Sequence, residues 1–120
     1  MSLDVSLYRK YHISYDGGKT LEEKEECVYD ANITHNLGKM ADKAGIYYAL
    51  WRPEEIEKSK AKDIIELLEK GLKDLKERPE YFEQFNSPNG WGMYEHFVPF
   101  VEKYLEACKE YPETDIYVSR

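Results

Sequence analysis

The odd positions near the N-terminus read Leu3, Val5, Leu7, Arg9, Tyr11, Ile13 and Tyr15, and the even positions between them are mostly polar. A repeat of two is what a strand with one half-buried face produces. Asp16-Gly17-Gly18-Lys19 then offers residues that tolerate positive φ, and a further run passes through Glu26, Cys27, Val28 and Tyr29. Together these predict a β-hairpin. Asp115 to Ser119 is β-prone again after Pro112. It predicts a third strand joining the same sheet.

Between these ends the period becomes helical. Ile33, Leu37, Met40, Ala41 and Ala44 share one face of a first helix, and Gly45 stands where a left-handed C-cap belongs. Ile46 to Trp51 is apolar and is closed by Arg52-Pro53, so one or two turns are expected there. A longer helix is predicted from Ser59 to Glu77, with Ile64, Ile65, Leu68, Leu72 and Leu75 inward and Lys60, Lys62, Glu66, Lys70 and Lys73 on a solvated face. Pro79 to Phe85 reads as a short turn-helix, and Asn86-Ser87-Pro88-Asn89-Gly90 as a loop. The last helix runs from Met93 to Glu110, with Phe97, Val101, Tyr104, Leu105 and Cys108 as its stripe. The resulting expectation is an α+β fold: a small antiparallel sheet, made of an N-terminal hairpin plus a C-terminal strand, packed against a block of three to four helices.

Composition narrows this picture. The chain has 120 residues, the size of one domain, so residues 1–120 are read as a single unit. Apolar residues make up 42% and charged residues 34%, and no apolar run approaches the roughly 20 residues needed to span a bilayer. The first residues carry no basic stretch followed by an apolar one, which predicts a soluble, cytoplasmic protein without membrane association. Cys27 and Cys108 lack the spacing of a zinc or redox pair, and both are expected to be small core residues. The net charge of −7 argues against gripping a nucleic-acid polymer, which needs a basic stripe. Eleven Tyr against four Phe fits either a surface that contacts a partner or ring-bearing ligand, or amphipathic residues at the core margin.

Two segments carry candidate chemistry. In Tyr29-Asp30-Ala31-Asn32-Ile33-Thr34-His35-Asn36, Asn32 or Thr34 can cap the first helix, leaving its N–H groups to attract an anion. His35 and Asn36 would then project from the first turn toward a phosphate or the edge of a base. Plain capping accounts for one Asn and one Thr, and less well for all four polar residues. In Asn86-Ser87-Pro88-Asn89-Gly90-Trp91-Gly92-Met93-Tyr94, glycines flank Trp91. Its indole is either a buried anchor for the loop, the reading favoured for Trp91 itself, or a stacking plate. Asn89, Tyr94 and His96 stand beside it as polar candidates. Arg52, next to Trp51, is a natural bidentate partner for a carboxylate or phosphate, or pairs simply with Glu54 or Glu55. No nucleophile with its base and no metal triad is visible, so neither a metal nor a cofactor is expected. His35 with Asp30, or His96 with Glu95, is the remaining route to acid–base chemistry.

Ser2-Leu3-Asp4-Val5, Ala31-Asn32-Ile33-Thr34-His35-Asn36-Leu37, Ala44-Gly45-Ile46-Tyr47, Ala49-Leu50-Trp51-Arg52-Pro53-Glu54-Glu55, Asn89-Gly90-Trp91-Gly92-Met93-Tyr94 and Val118-Ser119-Arg120 carry a resemblance that spans most of the chain. In these segments the chain resembles a family of uncharacterised small proteins of bacteriophages and some bacteria, whose shorter members do not match Tyr8 to Glu26. The resemblance implies an accessory protein that interferes with host immunity inside the host cell. One physically sensible form is a sponge, a non-enzymatic protein that sequesters a cyclic or ADP-ribose-like nucleotide signal. The leading expectation is therefore a non-enzymatic, oligomeric binding protein for a small anionic nucleotide-like ligand, using Asn32, Thr34, His35, Asn36, Arg52, Asn89, Trp91 and Tyr94. The rivals are a protein-interaction module that inhibits a host protein, and a small hydrolase using His35.

Overall fold

The computed structural model describes residues 2–120. Three strands, β1 (Ser2–Ile13), β2 (Glu22–Thr34) and β3 (Asp115–Ser119), form one antiparallel sheet in the order β2-β1-β3. Between β2 and β3 come a 3₁₀ turn at His35–Leu37, α1 (Gly38–Lys43), α2 (Tyr47–Trp51), a second 3₁₀ turn at Pro53–Ile56, α3 (Ala61–Glu77), α4 (Pro79–Glu83) and α5 (Tyr94–Glu110). The α+β architecture predicted from the periodicity is the one observed.

The core forms where the helices cover the sheet. Leu3, Val5 and Leu7 of β1 are fully buried, as the repeat of two requires, and meet Phe97, Val101 and Tyr104 of α5 and Ile64, Leu68 and Leu75 of α3 in one cluster. α3 packs along α5, and α5 packs against β2. Beyond Leu7 the alternation no longer means burial: Arg9 and Tyr11 are exposed, the strand ends at Ile13, and Tyr15 lies in the turn at 82% exposure. The helical layer reaches only half of the hairpin, which projects from the body and contributes to an overall extent of 59 × 27 × 23 Å. The break falls at a β-bulge. Leu7 faces Tyr29 while Tyr8 faces Cys27, so Val28 is the extra residue.

Two further corrections concern β2 and the cysteines. Asn32 and Ile33 belong to the strand and not to a helix, so the first helix is shorter than its apolar face suggested and begins only at Gly38. It ends as predicted, with Gly45 at φ 77° and the N–H groups of Gly45 and Ile46 donating to the carbonyls of Asp42 and Ala41. Cys108 is buried, and burial pushes its thiol up to about 12. Cys27 is exposed, because the uncovered part of the hairpin has no core to place it in.

β3 is tied to α3 at the other edge of the sheet. Ile116 N–H donates to the Ser59 carbonyl, and the carbonyls of Thr114 and Pro112 accept from Ala61 and Lys62 at the start of α3. The Asp115 carboxylate takes an ion pair from Lys60 at 2.6 Å and a longer one from Lys10 at 3.7 Å. The Lys60 contact first, then Lys10, holds its pKa below the ordinary aspartate value. Because the folded pKa is depressed, this contribution is present above the unfolded value of about 4 and is lost as pH falls through the folded one. Asp115→Asn should therefore lower stability by about 1 kcal/mol at pH 7 and much less at pH 3, read from urea midpoints at the two values. A second prediction concerns Tyr104, whose ring stacks on Tyr29 while its hydroxyl is buried without a hydrogen-bond partner. Removing an unsatisfied buried hydroxyl removes a desolvation cost, so Tyr104→Phe should hold or raise the thermal midpoint, a gain of up to about 2 kcal/mol.

Candidate functional site

β2 ends beside the start of β1, where Thr34 pairs with Ser2, and the chain then turns through His35–Leu37. Leu37 is buried and anchors this turn, which leaves the half-buried His35 and the exposed Asn36 at the surface. Thr34 caps it: its hydroxyl oxygen accepts from Asn36 N–H at 3.3 Å. A three-residue 3₁₀ turn has almost no macrodipole, and one of its N–H groups is already bonded to Thr34. The anion-attracting helix start expected here is not formed.

The opposing wall is the loop before α5. Its backbone is fixed by its own groups, with Ser87 N–H donating to the Gly92 carbonyl and Gly90 N–H to the Ser87 carbonyl. Asn89 Oδ1 accepts from Ser87 Oγ at 2.6 Å and from Trp91 N–H at 2.9 Å. Asn86 Oδ1 accepts from Tyr94 N–H at 2.7 Å and so satisfies one of the free donors at the start of α5. The two walls meet at one seam. Asn36 Nδ2 donates to the Trp91 carbonyl at 2.7 Å, and Gly92, buried at φ 116°, leaves no room for a side chain: a Cβ there would lie 2.8 Å from Asn36 Cβ.

Between the walls lies a concavity of about 850 Å³, which Asn32, Thr34, His35, Asn36, Asn89 and Trp91 all line. Six of the eight residues singled out in the sequence are thus brought together. Trp91 is 67% exposed, so the buried-anchor reading is overturned: hydrogen bonds hold the loop, which leaves the indole free. Tyr94 and Arg52 do not line the concavity. The Tyr94 hydroxyl donates to the Leu75 carbonyl at 2.7 Å, locking α5 onto α3. The Arg52 guanidinium donates to Tyr47 Oη at 3.3 Å and pairs with Glu55 at 2.9 Å, one of the two structural partners expected for it. The Tyr47 ring in turn stacks on Trp51 with centroids 5.4 Å apart. Arg52 is therefore outside the lining and is linked to His35 through the rings of Tyr47 and Trp51.

Sequence reasoning did not assign Ser2 or Met93 to the site, and His96 was weighed only beside Trp91 and Glu95; all three line the concavity. Ser2 could have been found from the hairpin register, since the strand start must lie opposite the strand end. His96 sits in the first turn of α5, exposed and 3.8 Å from Glu95, a loose pair in water and not a poised acid and base.

The state of His35 follows from one bond. Trp51 Nε1–H donates to His35 Nδ1 at 2.8 Å, and an indole nitrogen can only donate. His35 Nδ1 is therefore unprotonated, its proton sits on Nε2, and the imidazole offers the concavity a donor. Among the described residues, no three His, Cys, Asp or Glu side chains gather to hold a metal ion, and no helix is long and apolar enough to cross a membrane. Comparison with family models, curated proteins and solved structures returned no match.

The seam makes a direct prediction. Gly92→Ala should force the Trp91 loop off the 35–37 turn, at a cost of about 1–3 kcal/mol. Amide hydrogen exchange should then speed up across residues 86–93 while α3 stays protected. Unchanged exchange in that loop would show that the seam does not hold it.

Proposed function

We propose that this chain is a small-molecule binding protein that holds a nucleotide-type ligand in the concavity between the 35–37 turn and the Trp91 loop, without turning it over. The observation that carries this reading is the convergence of an exposed indole with Asn32, Asn36, Asn89, His35 and Thr34 on one concavity. An aromatic plate edged by amides is the usual equipment for holding a flat heterocycle. A fixed Nε2–H donor on His35 favours binding over hydrolysis, because the base such an enzyme needs would have to be that nitrogen. Sequestration of an immune signal by a phage-borne protein is the biological setting suggested by the sequence resemblance, and the ligand reading does not depend on it.

A different observation favours a second reading, the protein-interaction module. The projecting hairpin carries Tyr11, Tyr15 and Leu21 exposed. Native mass spectrometry of the protein purified from expressing cells separates the two. The binding reading expects a retained small molecule that dissociates intact on denaturation and is absent from Trp91→Ala. A clean apo mass together with a co-purifying protein chain, lost on Tyr15→Ser and Leu21→Ser, would overturn it in favour of the module.

A further inference from the structure

We infer that the concavity reads the uncharged base of its ligand and leaves any phosphate outside. The inference rests on the binding reading above and narrows it to the chemistry of the groups that remain unbonded.

Phosphate recognition needs fixed cations or converging free N–H groups. Among the described residues, no fixed cation lines this concavity and several of its N–H groups are taken. No Lys or Arg lines it, and the cation expected from the sequence, Arg52, is engaged by Tyr47 and Glu55. Three backbone donors of the two walls are also engaged: Asn36 N–H goes to Thr34, Gly90 N–H to Ser87 and Trp91 N–H to Asn89, so Gly90 and Trp91 do not offer their N–H groups as an anion cradle. A phosphate placed here would lose its hydration with no Lys or Arg in the lining to replace it.

A neutral base finds defined partners. Because Asn36 Nδ2 gives one hydrogen to a carbonyl, the amide is fixed in orientation with Oδ1 free as an acceptor beside one remaining N–H. Because Asn89 Oδ1 accepts two hydrogen bonds, its free atom is Nδ2, a donor. The His35 tautomer adds a second donor at Nε2. The internal bonds thus fix Asn89 and His35 as donors and hold the Asn36 amide in one orientation before a ligand arrives. Donors and an acceptor of fixed identity beside an exposed indole complement the edge and face of a nucleobase, whose rim alternates the same two functions.

The test uses the full chain and isothermal titration with adenosine, guanosine, cytidine and uridine, each 5′-monophosphate, and inorganic phosphate. At least one nucleoside should bind, its monophosphate should bind within about threefold of it, and affinity should change little with added salt. Inorganic phosphate should neither bind nor compete. Asn89→Asp keeps the oxygen that holds Ser87 and Trp91 but replaces the free donor with an acceptor, so nucleoside affinity should fall about tenfold or more with the loop's hydrogen exchange unchanged. Trp91→Ala should weaken it about fivefold or more through lost stacking. A monophosphate that binds more than about tenfold tighter than its nucleoside, or binding of phosphate alone, would overturn base-only recognition while leaving the ligand site standing. If no nucleoside or nucleotide binds and the purified protein retains no small molecule, both the inference and the reading beneath it fall.

Discussion

The candidate site exists because two backbone segments are pressed together at Asn36 and Gly92. Asn36 Nδ2 reaches the Trp91 carbonyl, and Gly92 has no side chain to hold the loop away. Each feature needs the other. The hydrogen bond fixes the separation of the walls, and the absent Cβ makes that separation sterically available. The concavity, the outward indole and the direction of the amides all follow from this contact. None would survive a loop that floated free.

The rest of the fold supplies two rigid bodies for that seam to join. The 35–37 turn is held by buried Leu37, by the Thr34 cap and by the bond from Trp51 to His35. The loop is held by Asn86 and Asn89 and by α5, which Tyr94 fastens to α3 through the Leu75 carbonyl. Several groups that look functional in isolation are therefore structural here, Arg52 and Tyr94 above all. The tyrosine excess divides in the same way. Tyr104 and Tyr29 stack against each other at the sheet, while Tyr11 and Tyr15 lie on the uncovered hairpin.

Hydrogen-bond saturation separates what the site can do from what its residue types suggest. Asparagine and histidine are versatile by composition, but one internal bond to each removes half of that versatility. After Trp51 has taken Nδ1, His35 is a donor and not a base. After the loop has closed, Asn36 keeps its acceptor and one N–H, and Asn89 is a donor. With no Lys or Arg in its lining, the concavity suits a neutral ring better than a phosphate.

From the residues alone, the strand period of Leu3, Val5 and Leu7, the stripes of α3 and α5, the β3 segment and the Gly45 cap were legible, because each is set by local geometry and by which face meets an apolar layer. The two polar segments around Asn32–Asn36 and Asn89–Trp91 were also legible, as clusters too polar to be explained by capping alone. Tertiary structure decided what periodicity cannot express. Helices cover only half of the hairpin, which exposes Tyr15 and Cys27 despite their strand pattern. Ile33 goes to a strand because pairing with Leu3 outweighs its place in a helical stripe. Which candidates face the concavity was settled by partners distant in sequence, Trp51 for His35, Trp91 for Asn36 and Leu75 for Tyr94. A side chain's chemistry is written in its type, but its free valences depend on neighbours that only the folded chain brings within hydrogen-bonding distance.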